Sequence, residues 1–199
     1  LSTGGMPALI ALEAANRPET DIHVYVLRDY RCYVHQEQLE ALRNVSVHLF
    51  DNNVKALESA IMRLDVPLVV QHDTALATNA LRQKGIKIAR MVHSTFSLSD
   101  LLLVPLPDHF IATTPLVKDE IEQEVGTQPP ITVVNTAVDE NRFNPDLYDK
   151  AYCRQRLGLH KDDFVILHLG IWNHNKNQND MIRIFNQLEI PRKRLLLVG

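Results

Sequence analysis

Short β-rich runs and helical segments alternate along almost the whole chain, and this alternation restricts the fold more than any single motif does. Apolar or alternating runs at 21–27, 45–50, 67–71, 86–92, 110–113, 131–134, 165–169 and 194–198 read as strands. Helical patterns lie between them, at 7–16, 33–43, 53–64, 74–84, 97–103, 115–125 and 146–157, and again from about residue 176. In that last pattern Met181, Phe185 and Leu188 fall on one face. All seven glycines (Gly4, Gly5, Gly85, Gly126, Gly158, Gly170 and Gly199) stand at the ends of these segments. None falls inside one, where it would cost about 1 kcal/mol relative to alanine. Strands separated by helices cannot close as hairpins. They pair in parallel through crossovers, in a sheet with helices on its faces. The expectation is an α/β fold with a Rossmann-like parallel sheet.

The bulk properties narrow the class. A length of 199 residues suggests one or two domains. At 45% apolar and 23% charged, the composition is that of an ordinary soluble globular protein. The formal net charge of -3 supplies no broad basic field, so nucleic acid is not an expected partner. Cys32 and Cys153 are far apart and outside any CxxC spacing. They suggest neither a disulfide framework nor a zinc site, which fits a reducing cytoplasm. The densest apolar run, 101–106, is broken by Pro105 and too short to span a membrane. Contact with the inner face of a membrane stays open. The chain begins in a loop-like LSTGG and stops just after a strand-like LLLV, so it reads as a segment of a longer protein whose first strand is missing.

Ligands of parallel sheets bind outside the carboxyl ends of the strands, so the residues that follow strands are the site candidates. His72 and Asp73 end one strand and form a plausible hydrogen-bonding or acid/base pair, or else a satisfied loop histidine. His93, before Ser94 and Thr95, ends another and suits a sugar hydroxyl or a phosphate; alternatively it is a core histidine. Gly4 and Gly5 open the first helix, either as a close-approach loop for a phosphate or as a simple tight turn. Asn135 follows the strand at 131–134 and begins a polar, turn-rich stretch, 135–150, which is the best domain boundary. Gly170 to Lys176 joins a strand to a helix. Free N–H groups at that helix start, with Lys176 beside them, make an anion site, unless the loop is an ordinary strand–helix turn. The chain contains no GxGxxG, GxxxxGK[ST], GxSxG or HExxH pattern.

Taken in order, these pieces resemble a known family. VVNTAVDENRFNP is similar to the interdomain motif "IPNGVDxxRFxP" of GT-B glycosyltransferases of the glycogen-synthase-like family 4. Asn135, Val138, Asp139, Arg142, Phe143 and Pro145 match it, while Thr136 and Ala137 stand around the family's glycine. LHLGIWNHNKNQNDMIRIFNQL resembles "GRxxxxKGxxxLIxAFxxL" through Gly170, Lys176, Ile182 and Phe185. LSTGGMPALIALEAAN, KIARMVHS and FIATTPLVKDEI resemble the family's glycine loop, its histidine-ending strand and a further strand–helix unit.

The resemblance implies two Rossmann-like domains: 1–136 on the acceptor side, and 137–199 as the hinge and the start of the nucleotide-sugar domain. It implies a retaining, metal-independent transfer of a sugar from a nucleotide-diphosphate sugar, a co-substrate rather than a cofactor. The acceptor would be a glycan, a lipid-linked molecule or another hydroxyl compound. His93 is then the expected catalytic residue near the transferred sugar. Gly4, Gly5, Gly170 and Lys176 are expected at the donor phosphates. His72, Asp73, Asn135, Asn173 and Asn175 are further expected contacts. No metal or cofactor is expected. One departure stands out: Ile171 occupies the position of the family's arginine, where a guanidinium would fork onto the diphosphate. A non-catalytic module of the same architecture and a nucleotide-sugar epimerase are the competing expectations.

Overall fold

The structure, a computed structural model, describes residues 5–28, 42, 45–72, 78–94 and 105–199, with the side chains of 5–8 and 28 left aside. Eight strands pair in parallel wherever they are described. His23–Arg28 (β1) lies beside Ser46–Asp51 (β2), with Val24 opposite Val47. Leu68–His72 (β3), Lys87–Val92 (β4), His109–Ala112 (β5) and Ile131–Val133 (β6) form a four-stranded parallel sheet in chain order. Phe164–Leu169 (β7) pairs with Lys193–Val198 (β8). Helices occupy the connections: Gly5–Asn16 (α1), Val54–Ile61 (α2), Thr78–Gln83 (α3), Pro115–Val125 (α4), Lys150–Arg156 (α5) and Gln178–Gln187 (α6). This is an α/β chain with a parallel sheet flanked by helices, compatible with a Rossmann-like fold. The helices expected at 33–43 and 97–103 lie outside the described residues.

The chain divides into two compact units, Leu1–Val138 and Asp139–Gly199. The first holds the core. In one cluster, Leu57 and Ile61 of α2 and Leu81 of α3 pack with Ile86 and Ile88, joined by Tyr25 of β1 and Phe50 of β2. In a second, Val117 and Ile121 of α4 pack with Val92, Phe110 and Ala112. The start of α4 follows from three residues. Thr114 is extended, and its side chain accepts a hydrogen bond from the Val117 amide; Pro115 follows with its φ preset for a helix. Arg90 crosses the interior of this unit fully buried. Its guanidinium donates to Gln71 Oε1 at 3.1 Å, Thr78 Oγ1 at 3.3 Å and the Pro105 carbonyl at 3.0 Å. Burial, and then the charge of Arg82, lowers its pKa to about 10. It therefore stays charged at neutral pH.

The second unit departs from the expected helices in two places. The pattern at 146–157 is split. Pro145–Leu147 is a short 3-10 turn, Tyr148 is extended, and α5 starts only after Asp149, whose carboxylate caps the Tyr152 amide. Two helix-start signals, Asn144 before Pro145 and Asp149 before Lys150, compete within a few residues, and each takes its own turn. The last helix begins at Gln178 rather than near 176, because Asn177 adopts the left-handed region with φ 51°. Its far end is closed from the next strand. Lys193 Nζ of β8 donates to the carbonyls of Phe185 and Leu188, both at 2.8 Å, and lies 4.9 Å from the Phe185 ring centre. No described helix is long and apolar enough to cross a membrane.

Candidate functional site

In the first unit, two of the expected site residues stand at the ends of β3 and β4. Parallel register sets His72 opposite Met91, so the end of β3 lies beside the end of β4. His72 Nδ1 and His93 Nε2 are 3.0 Å apart, with ring centres 5.3 Å apart and planes 16° from parallel. A bond between two neutral imidazole nitrogens requires one donor and one acceptor, so the tautomers of the two rings are coupled. The backbone at His93 is also held: the Thr113 hydroxyl donates to the carbonyls of Val92 at 3.2 Å and His93 at 3.3 Å. Thr113 is buried. The structure thus brings His72 and His93 together at the carboxyl edge of the sheet. Asn135 follows β6 on the same unit. It lines a cavity of about 260 Å³ with Leu12, Arg17, Met91, Thr113 and Thr136. Gly5 is the first residue of α1, while Gly4 and Asp73 lie outside the described residues.

In the second unit, the turn after β7 is built around Gly170 and Lys176. Gly170 has φ 151°, outside the range that side chains favour. A Cβ there would sit 3.2 Å from Lys176 Cγ, so the lysine stem runs directly over the glycine. Asn173 holds the turn by accepting from the Lys176 amide at 2.9 Å. The His168 ring, from inside β7, bonds the Lys176 carbonyl at 2.9 Å. Gln178, 2% exposed, donates through Nε2 to the carbonyls of Gly170 at 3.0 Å and Ile171 at 2.9 Å. Asn175 and Lys176 are exposed. The chemistry of the turn is a single lysine presented over a glycine, beside the start of a helix that has no side-chain cap.

The matched residues of the 135–145 motif do local work. Asp139 Oδ1 accepts from the amides of Asn141 at 3.0 Å and Arg142 at 3.3 Å, Arg142 stacks 5.2 Å over the Phe143 ring, and Pro145 opens the 3-10 turn. Asp163 anchors the same unit. Its side chain, 1% exposed, accepts from the His160 amide at 2.8 Å and pairs with Arg192 at 2.9 Å and Arg194 at 3.4 Å. The His160 amide, ahead of the Arg192 and Arg194 charges, holds its carboxyl below the ordinary value, against the opposing effect of burial.

His168 and Gln178 escaped the sequence reading. His168 sits in an apolar strand run and Gln178 in a polar tract, so neither position is unusual by itself. Among the described residues no three His, Cys, Asp or Glu side chains gather as a metal-binding group. No protein-family model matches this chain, and no curated protein matches it.

Proposed function

We propose that this chain is part of a glycosyltransferase of the GT-B type, which moves a sugar from a nucleotide-diphosphate donor to an acceptor hydroxyl with retention of configuration. The observation that carries the reading is the Gly170–Lys176 turn. The two residues that match the family motif are in contact, the glycine in a backbone conformation that demands it. Asn177 takes the left-handed conformation at the position where the motif has glycine. Lys176 then supplies positive charge to the departing diphosphate, and the first amides of α6 supply N–H donors. His93, paired with His72, supplies a hydrogen bond to the transferred sugar. The acceptor hydroxyl is activated mainly by being positioned. Ile171 favours a second reading, a module that binds a donor without turning it over, because it adds nothing polar where the family carries a guanidinium.

Titration of the protein with UDP-, GDP- and ADP-sugars tests the reading, with binding followed by calorimetry and transfer by release of free nucleotide. One of the donors is expected to bind, and Lys176→Ala to weaken it roughly 10- to 100-fold, the range of a lost charge-assisted contact. Binding indifferent to Lys176→Ala sinks the assigned role. Binding without release of nucleotide in the presence of acceptors favours the non-catalytic reading.

A further inference from the structure

We propose that His23 and His48 form a binding site for a divalent transition-metal ion of the zinc, nickel or copper class. His23 opens β1, and His48 is the third residue of β2. Register sets Tyr25 opposite His48, so His23, Tyr25 and His48 share one face of the strand pair. His23 Nδ1 lies 3.1 Å from His48 Nε2. On its other side, His23 Nε2 lies 3.1 Å from Asp21 Oδ2. A carboxylate only accepts, so Nε2 bears a hydrogen, and Nδ1 of the neutral ring carries a lone pair toward His48. An imidazole with one nitrogen on a carboxylate and the other turned to a ligand position is the usual arrangement of a metal-bound histidine. The His48 ring is held as well. It stacks on Tyr25 with ring centres 4.6 Å apart, and Tyr25 packs against the Leu57 and Ile61 cluster.

Zinc–imidazole bonds are about 2.1 Å long, so two nitrogens in a tetrahedral shell stand about 3.4 Å apart. From their 3.1 Å separation the two rings need to part by only a few tenths of an ångström. The ion takes the place of the hydrogen between the rings. Each neutral ring keeps its one hydrogen on its other nitrogen, Nε2 in His23 and Nδ1 in His48. Imidazole ligands suit zinc, nickel and copper, whereas magnesium and calcium take oxygen ligands. Among the described residues no third His, Cys, Asp or Glu completes the set, so water or a small ligand fills the rest of the shell. The His23 side chain is 38% exposed and that of Asp21 86%, so an ion reaches the pair from solvent. Once bound, it ties β1 to β2. The site does not rest on the glycosyl-transfer reading, whose histidines stand at the ends of β3 and β4.

The 199-residue chain is titrated with zinc chloride by calorimetry, with cobalt chloride by visible absorption, and with magnesium chloride as the control. Saturable zinc binding is expected, with a cobalt spectrum of nitrogen ligation and no response to magnesium. His23→Gln and His48→Gln should each weaken zinc binding about 100-fold, because a two-point chelate falls back to one ligand. Asp21→Asn should weaken it about tenfold, as the loss of a carboxylate that orients a ligand does. Zinc should also raise the melting temperature of the native chain and leave that of His23→Gln unchanged. Circular dichroism checks the fold of each variant. If His48→Gln, which loses the Tyr25 stack, fails to fold, the exposed His23→Gln carries the test. No zinc binding at about 1 mM overturns the site. So does zinc affinity that survives the His23→Gln, His48→Gln double variant, which would put the ion on other histidines. Equal zinc affinity in Asp21→Asn overturns the part given to the carboxylate.

Discussion

Gly170 is a position where a single methyl group decides the outcome. Its φ of 151° is one that residues with a Cβ rarely adopt, and the Lys176 stem fills the space a Cβ would take. The stem is flexible enough to move, so the backbone carries most of the penalty. Gly170→Ala is expected to destabilise the turn by about 1–3 kcal/mol and to weaken binding of any ligand that uses Lys176; thermal melts paired with the donor titration measure both. Asp163 makes the opposite case, a residue whose charge is needed. Its carboxyl titrates below the ordinary range in the folded chain. The pairing with the His160 amide and the Arg192 and Arg194 side chains therefore stabilises fully above the unfolded carboxylate's range, near pH 4, and is lost as the pH falls through the folded value. Asp163→Asn should lower the melting temperature at pH 7 and by less as acid titrates the native carboxylate. Parallel curves at all pH values would refute that account.

The strands and helices show which local signals survive folding. Gly85 and Gly126 stood where helices were expected to end and Pro115 where one was expected to begin; α3 stops just short of Gly85, and α4 runs from Pro115 to Val125 between the caps Thr114 and Gly126. Caps and breakers act within one turn, so sequence alone displays them. The split of 146–157 and the start of α6 at Gln178 depended on which of several Asn and Asp residues won the cap, and that is settled by small differences in packing. Arg90 belongs to this scale because it ties β3, β4, α3 and the Pro105 segment together. Arg90→Met fills much of the volume but removes the guanidinium that donates to Gln71 Oε1, Thr78 Oγ1 and the Pro105 carbonyl, at about 1–3 kcal/mol in all. Denaturant midpoints read this loss directly; a variant as stable as the native chain would show the network to be dispensable. Nothing at the sequence level marks Arg90 as buried, since a lone arginine in a strand is ordinarily written off to solvent.

The whole chain is uneven in where its stability lies. Every described apolar residue that is fully buried belongs to 1–138, whereas the 139–199 unit exposes Phe164, Leu167, Leu169 and Val198 on its two strands. A two-stranded sheet with two short helices buries little surface and is marginal in water. A fragment of residues 139–199 is expected to show weak circular dichroism and no cooperative melt, while a fragment of residues 1–138 melts cooperatively. A sharp transition in the shorter fragment would place more of the stability there than the burial does. The sequence by itself determined the alternation of strands and helices, the parallel pairing that this alternation forces, and the placement of His72, His93 and the Gly170–Lys176 turn at strand ends. These follow from hydrophobic period and from residues whose backbone preferences act locally. Only the tertiary structure decided that His72 and His93 share a hydrogen bond, that Arg90 is buried, and that His168 and Gln178 brace the turn after β7. Those are contacts between residues far apart along the chain, and no local preference encodes them.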